Sequence, residues 1–110
     1  MGLTLVVCSL ALADAPPVGP LPKAKVTTIR TTRGSFVPVA LPRRAGGYVW
    51  RIARRFDANV VRQVTEGDVG GTVVLVFRAV GRGHASIVVA ETRGETAKAY
   101  RAVRYDVTVS

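Results

Sequence analysis

The chain contains a single cysteine and a single histidine among its 110 residues. One thiol cannot form an internal disulfide, and one Cys with one His cannot supply the four ligands of a structural zinc site. A zinc finger and a redox dithiol are therefore excluded, and we expect no cofactor. At this length a hydrophobic core can stabilise one domain without a metal or a disulfide.

Catalytic motifs are also missing. The sequence has no GxSxG nucleophile elbow, no HExxH zinc motif and no phosphate loop ending in Gly-Lys-Ser/Thr. A Ser–His–Asp triad would have to use His84, and nothing in the sequence places a serine and an aspartate beside it. Because catalysis needs a positioned acid, base or nucleophile, we do not expect an enzyme.

Acidic residues are scarce, with 7 Asp and Glu against 16 Lys and Arg, which gives a formal net charge of +9. The hydrophobic fraction of 48% is nevertheless too high for a disordered chain. If the clustered arginines share one face, they form a positive patch suited to phosphates, for example of the cell envelope. Polyanion binding is thus one hypothesis, and an ordinary solvated surface is its alternative. The cluster consists of Arg43, Arg44, Arg51, Arg54, Arg55 and Arg62.

Aromatic residues make up only 6% of the chain, and their alternation points inward. A base-stacking platform is therefore not evident. We do not expect nucleic acid as a partner, the less so if the product leaves the cell.

The first 13 residues resemble a secretion signal. Residues 3–13 are apolar and uncharged, and Ala11-Leu12-Ala13 has the small-x-small pattern that signal peptidases cleave. The run is shorter than the roughly 20 apolar residues of a membrane-spanning helix, so we expect no stable membrane insertion. We predict a signal over residues 1–13 and a periplasmic or secreted product. A buried strand or short helix over residues 3–12 is the alternative.

Residues 14–22 contain four prolines, which predicts an extended, unpaired linker. From residue 23 onward, apolar and polar residues alternate in short runs that Gly and Pro interrupt. This pattern favours an all-β domain, and residues 23–110 are predicted to form an immunoglobulin-like β-sandwich of about seven strands.

The alternation predicts individual strands and some of their positions. Pro38 restricts its strand to a sheet edge or to irregular pairing, and Trp50 is expected in the core. Residues 65–71 are predicted as a glycine-rich loop and residues 91–98 as a polar loop. Residues 51–64 lack Gly and Pro, and a basic helix is the alternative there. The strands are predicted at residues 26–31, 36–41, 48–52, 60–64, 72–79, 85–90 and 100–109.

Three separated segments, in order, resemble the chagasin-type inhibitors of papain-like cysteine peptidases. Gly47-Tyr48-Val49-Trp50 matches the GYxW end of that family's first inhibitory loop, and Val69-Gly70-Gly71-Thr72 its glycine-rich second element. Arg93 falls near the arginine of the third, Arg-Pro-Trp, loop, and Val107-Thr108-Val109 matches the final strand. The resemblance spans about residues 25–110.

The chain departs from the family within the loops. Arg43-Arg44-Ala45-Gly46 replaces the Asn-Pro-Thr-Thr part of the first loop, and Arg93-Gly94-Glu95 replaces Arg-Pro-Trp in the third. The third loop thereby loses a rigid proline and an aromatic anchor, and such anchors often dominate interface energy. The scaffold thus resembles the family more closely than the loops do.

The resemblance implies a reversible inhibitor that inserts three loops into the cleft of a papain-like cysteine peptidase, and we expect a monomer. Glycine-rich backbone suits such a role because it approaches a partner closely without side-chain clashes. Ordinary turns also explain the glycine pairs, a solvated charge explains Arg93, and a core position explains Tyr48. The implied contact residues are Gly46, Gly47 and Tyr48 in the first loop, Val69, Gly70 and Gly71 in the second, and Arg93 in the third.

Overall fold

Seven β-strands make up the regular structure of residues 18–110, the part of the chain that the computed structural model describes. The strands are β1 (Lys25–Thr31), β2 (Phe36–Pro42), β3 (Val49–Ile52), β4 (Val61–Val69), β5 (Thr72–Ala79), β6 (Gly83–Thr92) and β7 (Arg101–Val109). Within this range there is no helix of the length and hydrophobicity needed to cross a bilayer. The predicted secretion signal lies outside the described residues.

The strands form two sheets, one of four strands in the order β1-β7-β6-β3 and one of three in the order β2-β5-β4. All pairs are antiparallel except β1 with β7, the first and last strands, which run parallel. The prediction of an immunoglobulin-like β-sandwich is confirmed. Strand β2 is an edge strand, as the proline at position 38 predicted.

The core lies between the sheets and draws on alternate residues of both. Val37, Val39 and Leu41 of β2 are at most 2% exposed, whereas the intervening Pro38 and Ala40 are exposed. Small, β-branched and aliphatic side chains dominate this core, with Phe77 as its largest fully buried member. Trp50, which was predicted in the core, is only half-buried and packs against the core cluster without being one of its buried members. The alternation in the sequence therefore reports true inward and outward positions.

Three sequence-based interpretations of strands and loops are corrected by the fold. The polar loop predicted over residues 91–98 starts later, because β6 continues to Thr92. The helix alternative for residues 51–64 is wrong, since this segment holds the end of β3, a turn and the start of β4. The predicted loop over residues 65–71 is also wrong in extent, because β4 continues to Val69 and leaves only Gly70 and Gly71 as the turn. A register shift between Gln63 and Thr65 keeps β4 paired with β5 across the polar stretch.

The described part of the predicted linker, from residue 18 onward, packs against the domain instead of remaining unpaired. Val18 is 3% exposed, and its amide donates to the carbonyl oxygen of Ala53 at 3.3 Å. The amide of Gly19 donates to the carbonyl oxygen of Thr96 at 2.7 Å. The expectation of unpaired chain is therefore wrong for these two residues, because an apolar side chain and two amides find partners on the domain.

Candidate functional site

Three chain connections meet at one end of the sandwich, which we call the loop pole. They are the first loop (residues 43–48, between β2 and β3), the second loop (residues 70–71, between β4 and β5) and the third loop (residues 93–100, between β6 and β7). Pro42 at the end of β2 pairs with Thr72 at the start of β5, and Val49 at the start of β3 pairs with Thr92 at the end of β6. This register brings all three connections together.

Direct contacts join the loops to one another. The amide of Arg43 donates to the carbonyl oxygen of Gly71 at 2.9 Å, and the Arg43 guanidinium forms an ion pair with Asp68 at the end of the β4–β5 hairpin. The side chain of Arg93 donates from Nε to the carbonyl oxygen of Gly46 at 2.9 Å. The first loop is thus bonded to both of the others.

A tyrosine and two cations give the first loop its shape. The Tyr48 ring meets the Tyr100 ring edge-to-face at a centroid distance of 5.3 Å. The guanidinium carbon of Arg44 lies 3.8 Å from the Tyr48 ring centroid, and that of Arg93 lies 5.4 Å from it. Tyr48 is half-buried and outside the core cluster, so it packs within the loop pole rather than in the core.

Below the first and third loops lies a buried carboxylate that sequence reasoning missed. Glu91, in β6, has a side chain only 1% exposed. Its Oε1 accepts from Arg44 Nε at 3.1 Å and Nη2 at 2.8 Å, and from Arg101 Nε at 3.0 Å, while Oε2 accepts from Arg101 Nη2 at 2.7 Å. Two arginines from different segments therefore converge on one carboxylate. We call these three residues the Glu91 clamp.

Burial by itself raises the pKa of Glu91, but hydrogen bonds from Arg101 and Arg44 outweigh it and hold that pKa below its ordinary value of 4.5. The carboxylate is thus ionised at neutral pH. A signal for this position existed in the sequence, because Ala85, Ile87 and Val89 alternate inward and Glu91 continues the same alternation. A charge at an inward position needs partners, and the arginines supply them.

The second loop forms the tip of a hairpin whose strand β4 is largely solvent-exposed. All β4 residues after Val61 are exposed, and Val69 at the tip is 68% exposed. Gly71 has a φ of 82°, a left-handed conformation that glycine adopts without a Cβ clash. No atom of the described residues would lie within 4 Å of a Cβ placed there. The tip is open to a partner's approach.

All seven residues that the sequence predicted for the contact lie at the loop pole. Gly46, Gly47 and Tyr48 belong to the first loop, Val69, Gly70 and Gly71 to the hairpin tip, and Arg93 to the start of the third loop. Gly47 has a φ of 81° and open space around it, whereas Arg93 is engaged with the Gly46 carbonyl.

The arginine cluster divides among different roles. Arg43 and Arg44 have acidic partners at the loop pole, and Arg54 donates to backbone carbonyls of residues 18 and 19. Arg62 lies on the other sheet, where its register partner is Arg78 of β5. The six residues therefore do not act as one uniform group.

A polar cluster on β6 and β7 brings together serine, histidine and aspartate side chains. Ser86 Oγ donates to Asp106 Oδ1 at 2.9 Å, and the pair of His84 Nδ1 and Thr108 Oγ1 is 3.0 Å apart. In a nucleophilic triad the histidine bridges serine and aspartate. Here serine bonds the aspartate and histidine bonds a threonine, so the arrangement is not that of a triad.

Comparison with known proteins identifies a solved structure with a similar fold. No protein-family model matches the chain, and no curated protein matches it. Among solved structures it resembles the cysteine protease inhibitor EhICP2 from Entamoeba histolytica, with a TM-score of 0.62 and 14% sequence identity, over 81% of this chain and 99% of that one. The chain shares its fold with a cysteine protease inhibitor. At this identity the likeness concerns the fold.

Proposed function

We propose that the chain is a reversible inhibitor of papain-like cysteine peptidases, and that its loop pole inserts into the active-site cleft. The proposal depends mainly on one observation: the three loops converge at one end of the sandwich and are joined there by hydrogen bonds. The shared fold with a cysteine protease inhibitor supports it. As part of this proposal, the partner is a papain-like cysteine peptidase and the inhibitor acts as a monomer in the periplasm or outside the cell.

The proposed mechanism needs no covalent chemistry from the inhibitor. Gly47 and Gly71 present backbone without side chains, so the chain comes close to the walls of a narrow cleft. Val69 at the exposed tip supplies an apolar contact. The Glu91 clamp and the bond from Arg93 to the Gly46 carbonyl hold the loops in place before binding. Preorganised loops lose little conformational entropy on association, which favours affinity.

A competitive inhibition assay tests this function. The purified chain is titrated against several papain-like peptidases with a fluorogenic peptide substrate, and a rise in apparent KM without a change in kcat is expected. Circular dichroism checks that the protein is folded. A folded protein that inhibits none of these enzymes would reject the function while leaving the fold unaffected.

Polyanion binding is a second candidate, favoured by one observation. Arg62 and Arg78 are direct cross-strand partners, and like charges so placed repel each other. No ion pair to an acidic residue joins either of them within residues 18–110. A bound polyanion would relieve this repulsion. Repeating the inhibition and binding assays at low and high salt separates the candidates, because counterion release makes polyanion binding steeply salt-dependent.

A further inference from the structure

A short segment ahead of β1 packs on the outer face of the four-stranded sheet. We call residues 18–21 the N-terminal strap. Val18 is 3% exposed and forms a small apolar cluster with Ala53 and Ala90, separate from the main core. Leu21 and Ala99 are partly buried against the same cluster. The strap therefore covers sheet residues and, through Ala99, reaches the third loop.

The third loop depends on the strap for its backbone contacts. Its residues 93–99 have no regular secondary structure, and the loop is closed at its base by the amide of Tyr100 donating to the carbonyl oxygen of Glu91 at 2.8 Å. Between these ends, the bond from the amide of Gly19 to the Thr96 carbonyl is the only backbone hydrogen bond of residues 93–99 to another described residue. A surface connection of this length without internal bonds is otherwise mobile, so the bond to the strap favours one shape of the loop.

The strap approaches the third loop closely enough to require glycine. A Cβ at position 19 would lie 2.4 Å from the carbonyl oxygen of Ala97, well inside van der Waals contact. That atom is backbone, so a clash is relieved only if the strap or the third loop moves. Gly19 is thus needed for a close approach to the loop.

Arg54 fixes the strap from the other side. Its Nη1 donates to the carbonyl oxygens of Val18 at 2.6 Å and Ala53 at 2.8 Å, and its Nη2 donates to the carbonyl oxygen of Gly19 at 3.2 Å. The planar guanidinium makes these three bonds together, and a lysine ammonium at the end of a flexible chain does not reproduce that geometry. The strap is therefore bonded to the Arg54 guanidinium on one side and to the third loop on the other.

We propose that the N-terminal strap is a positioning element of the inhibitory surface, in which Gly19 and Arg54 hold the third loop in its binding-competent shape. Its effect on inhibition rests on the proposed function, whereas its effect on the loop does not. The third loop in turn reaches the first loop through Arg93. Removal of the strap by proteolysis would thus loosen two of the three loops.

Hydrogen–deuterium exchange of the full chain tests the structural part directly. The amide of residue 19 reports the bond between strap and loop, because it donates to the Thr96 carbonyl. Gly19→Ala and Arg54→Lys should each lower the protection factor of this amide by about 3- to 10-fold, the range for loss of one hydrogen bond. Exchange in β5 should stay unchanged. If both variants leave the protection factor of the residue-19 amide unaltered, the proposal is overturned, whatever the outcome of the inhibition assay.

Gly81→Ala is the matched control. A Cβ at Gly81 would also meet a backbone carbonyl, at 2.1 Å from the Asn59 oxygen, but at the opposite pole. This variant should lower global stability without selectively changing exchange of the residue-19 amide or changing the inhibition constant. Gly19→Ala and Arg54→Lys should raise that constant by about 3- to 10-fold. If Gly81→Ala increases exchange of the residue-19 amide as much as the strap variants do, the strap contributes only to general stability and its positioning role is overturned.

The two proposals fail in distinguishable ways. If the wild-type chain does not inhibit any peptidase, the inhibitor function fails, while exchange of the residue-19 amide still decides the role of the strap. If the wild type inhibits and the strap variants loosen the loop without altering the inhibition constant, the loop is positioned by the strap but does not contribute to binding, which overturns the proposal for the inhibitory surface.

Discussion

Glu91 and Arg101 are register partners at the adjoining ends of β6 and β7, and the guanidinium contacts both oxygens of the carboxylate, at 3.0 and 2.7 Å. The same arginine lies over the Trp50 ring at 5.1 Å, and its Nη2 donates to the Pro42 carbonyl at 3.3 Å. Trp50 Nε1 donates to that carbonyl as well, at 2.9 Å. The end of β2 is therefore bonded to the opposite sheet directly beneath the first loop.

Glu91→Gln should destabilise the domain by about 2 kcal/mol. The neutral amide accepts fewer and weaker hydrogen bonds, and both arginines lose their charged partner. The loss is moderate because the side chains of Arg44 and Arg101 are 46% and 40% exposed and water can solvate them. Urea denaturation at pH 7 measures the change. Asp68→Asn, which removes the 53%-exposed partner of Arg43, serves as control and should leave the midpoint nearly unchanged.

The contribution of the clamp should depend on pH in the acid range. Because the pKa of Glu91 in the folded protein lies below its ordinary value of 4.5, its stabilisation is complete above pH 4.5 and is lost as the pH falls through the folded-state pKa. The stability difference between wild type and Glu91→Gln should be constant from pH 7 to 5.5 and shrink below pH 4.5. A difference that persists unchanged to pH 3 would contradict this assignment.

Much of the fold was predictable because alternation and turn residues encode it locally. The strand Thr72–Ala79 was predicted with its observed bounds, and the edge position of Pro38 follows from its missing amide donor. The meeting of the glycine-bearing connections at one pole followed from the predicted strand count and topology. These features depend on residues near one another in the sequence or on the general rules of the sandwich.

The parts of the site that were missed depend on contacts between distant residues. Glu91 lies 47 residues from Arg44 in the sequence, and nothing local pairs them. Val18 and Gly19 appeared to belong to a proline-rich linker, but their backbone partners are at Ala53 and Thr96. The polar stretch before Gly70 continues as a strand because β5 supplies its hydrogen bonds, which local composition does not report.

Gly47→Trp should weaken inhibition by at least about tenfold, because a large side chain would fill the space through which the first loop approaches the cleft. The residue has a φ of 81°, so any side chain there also introduces backbone strain. Gly34→Trp is the matched control, since Gly34 has a φ of 97°, equally open surroundings and a position at the opposite pole. Inhibition constants that change equally in both variants would indicate strain rather than a blocked contact.

Val69→Asp should reduce inhibition by about tenfold or more while leaving the stability of the fold nearly unchanged. The side chain is 68% exposed at the hairpin tip, so the substitution disturbs little packing in the free protein. In the proposed complex the carboxylate would be desolvated against the peptidase, which is costly without a partner. Val26→Asp is the control, because Val26 is 52% exposed on the edge strand β1, where its register partner is Arg104 within β7 and not a residue of the three loops. Thermal unfolding together with inhibition constants decides the matter: if Val69→Asp and Val26→Asp inhibit as well as the wild type, the hairpin tip does not contact the enzyme.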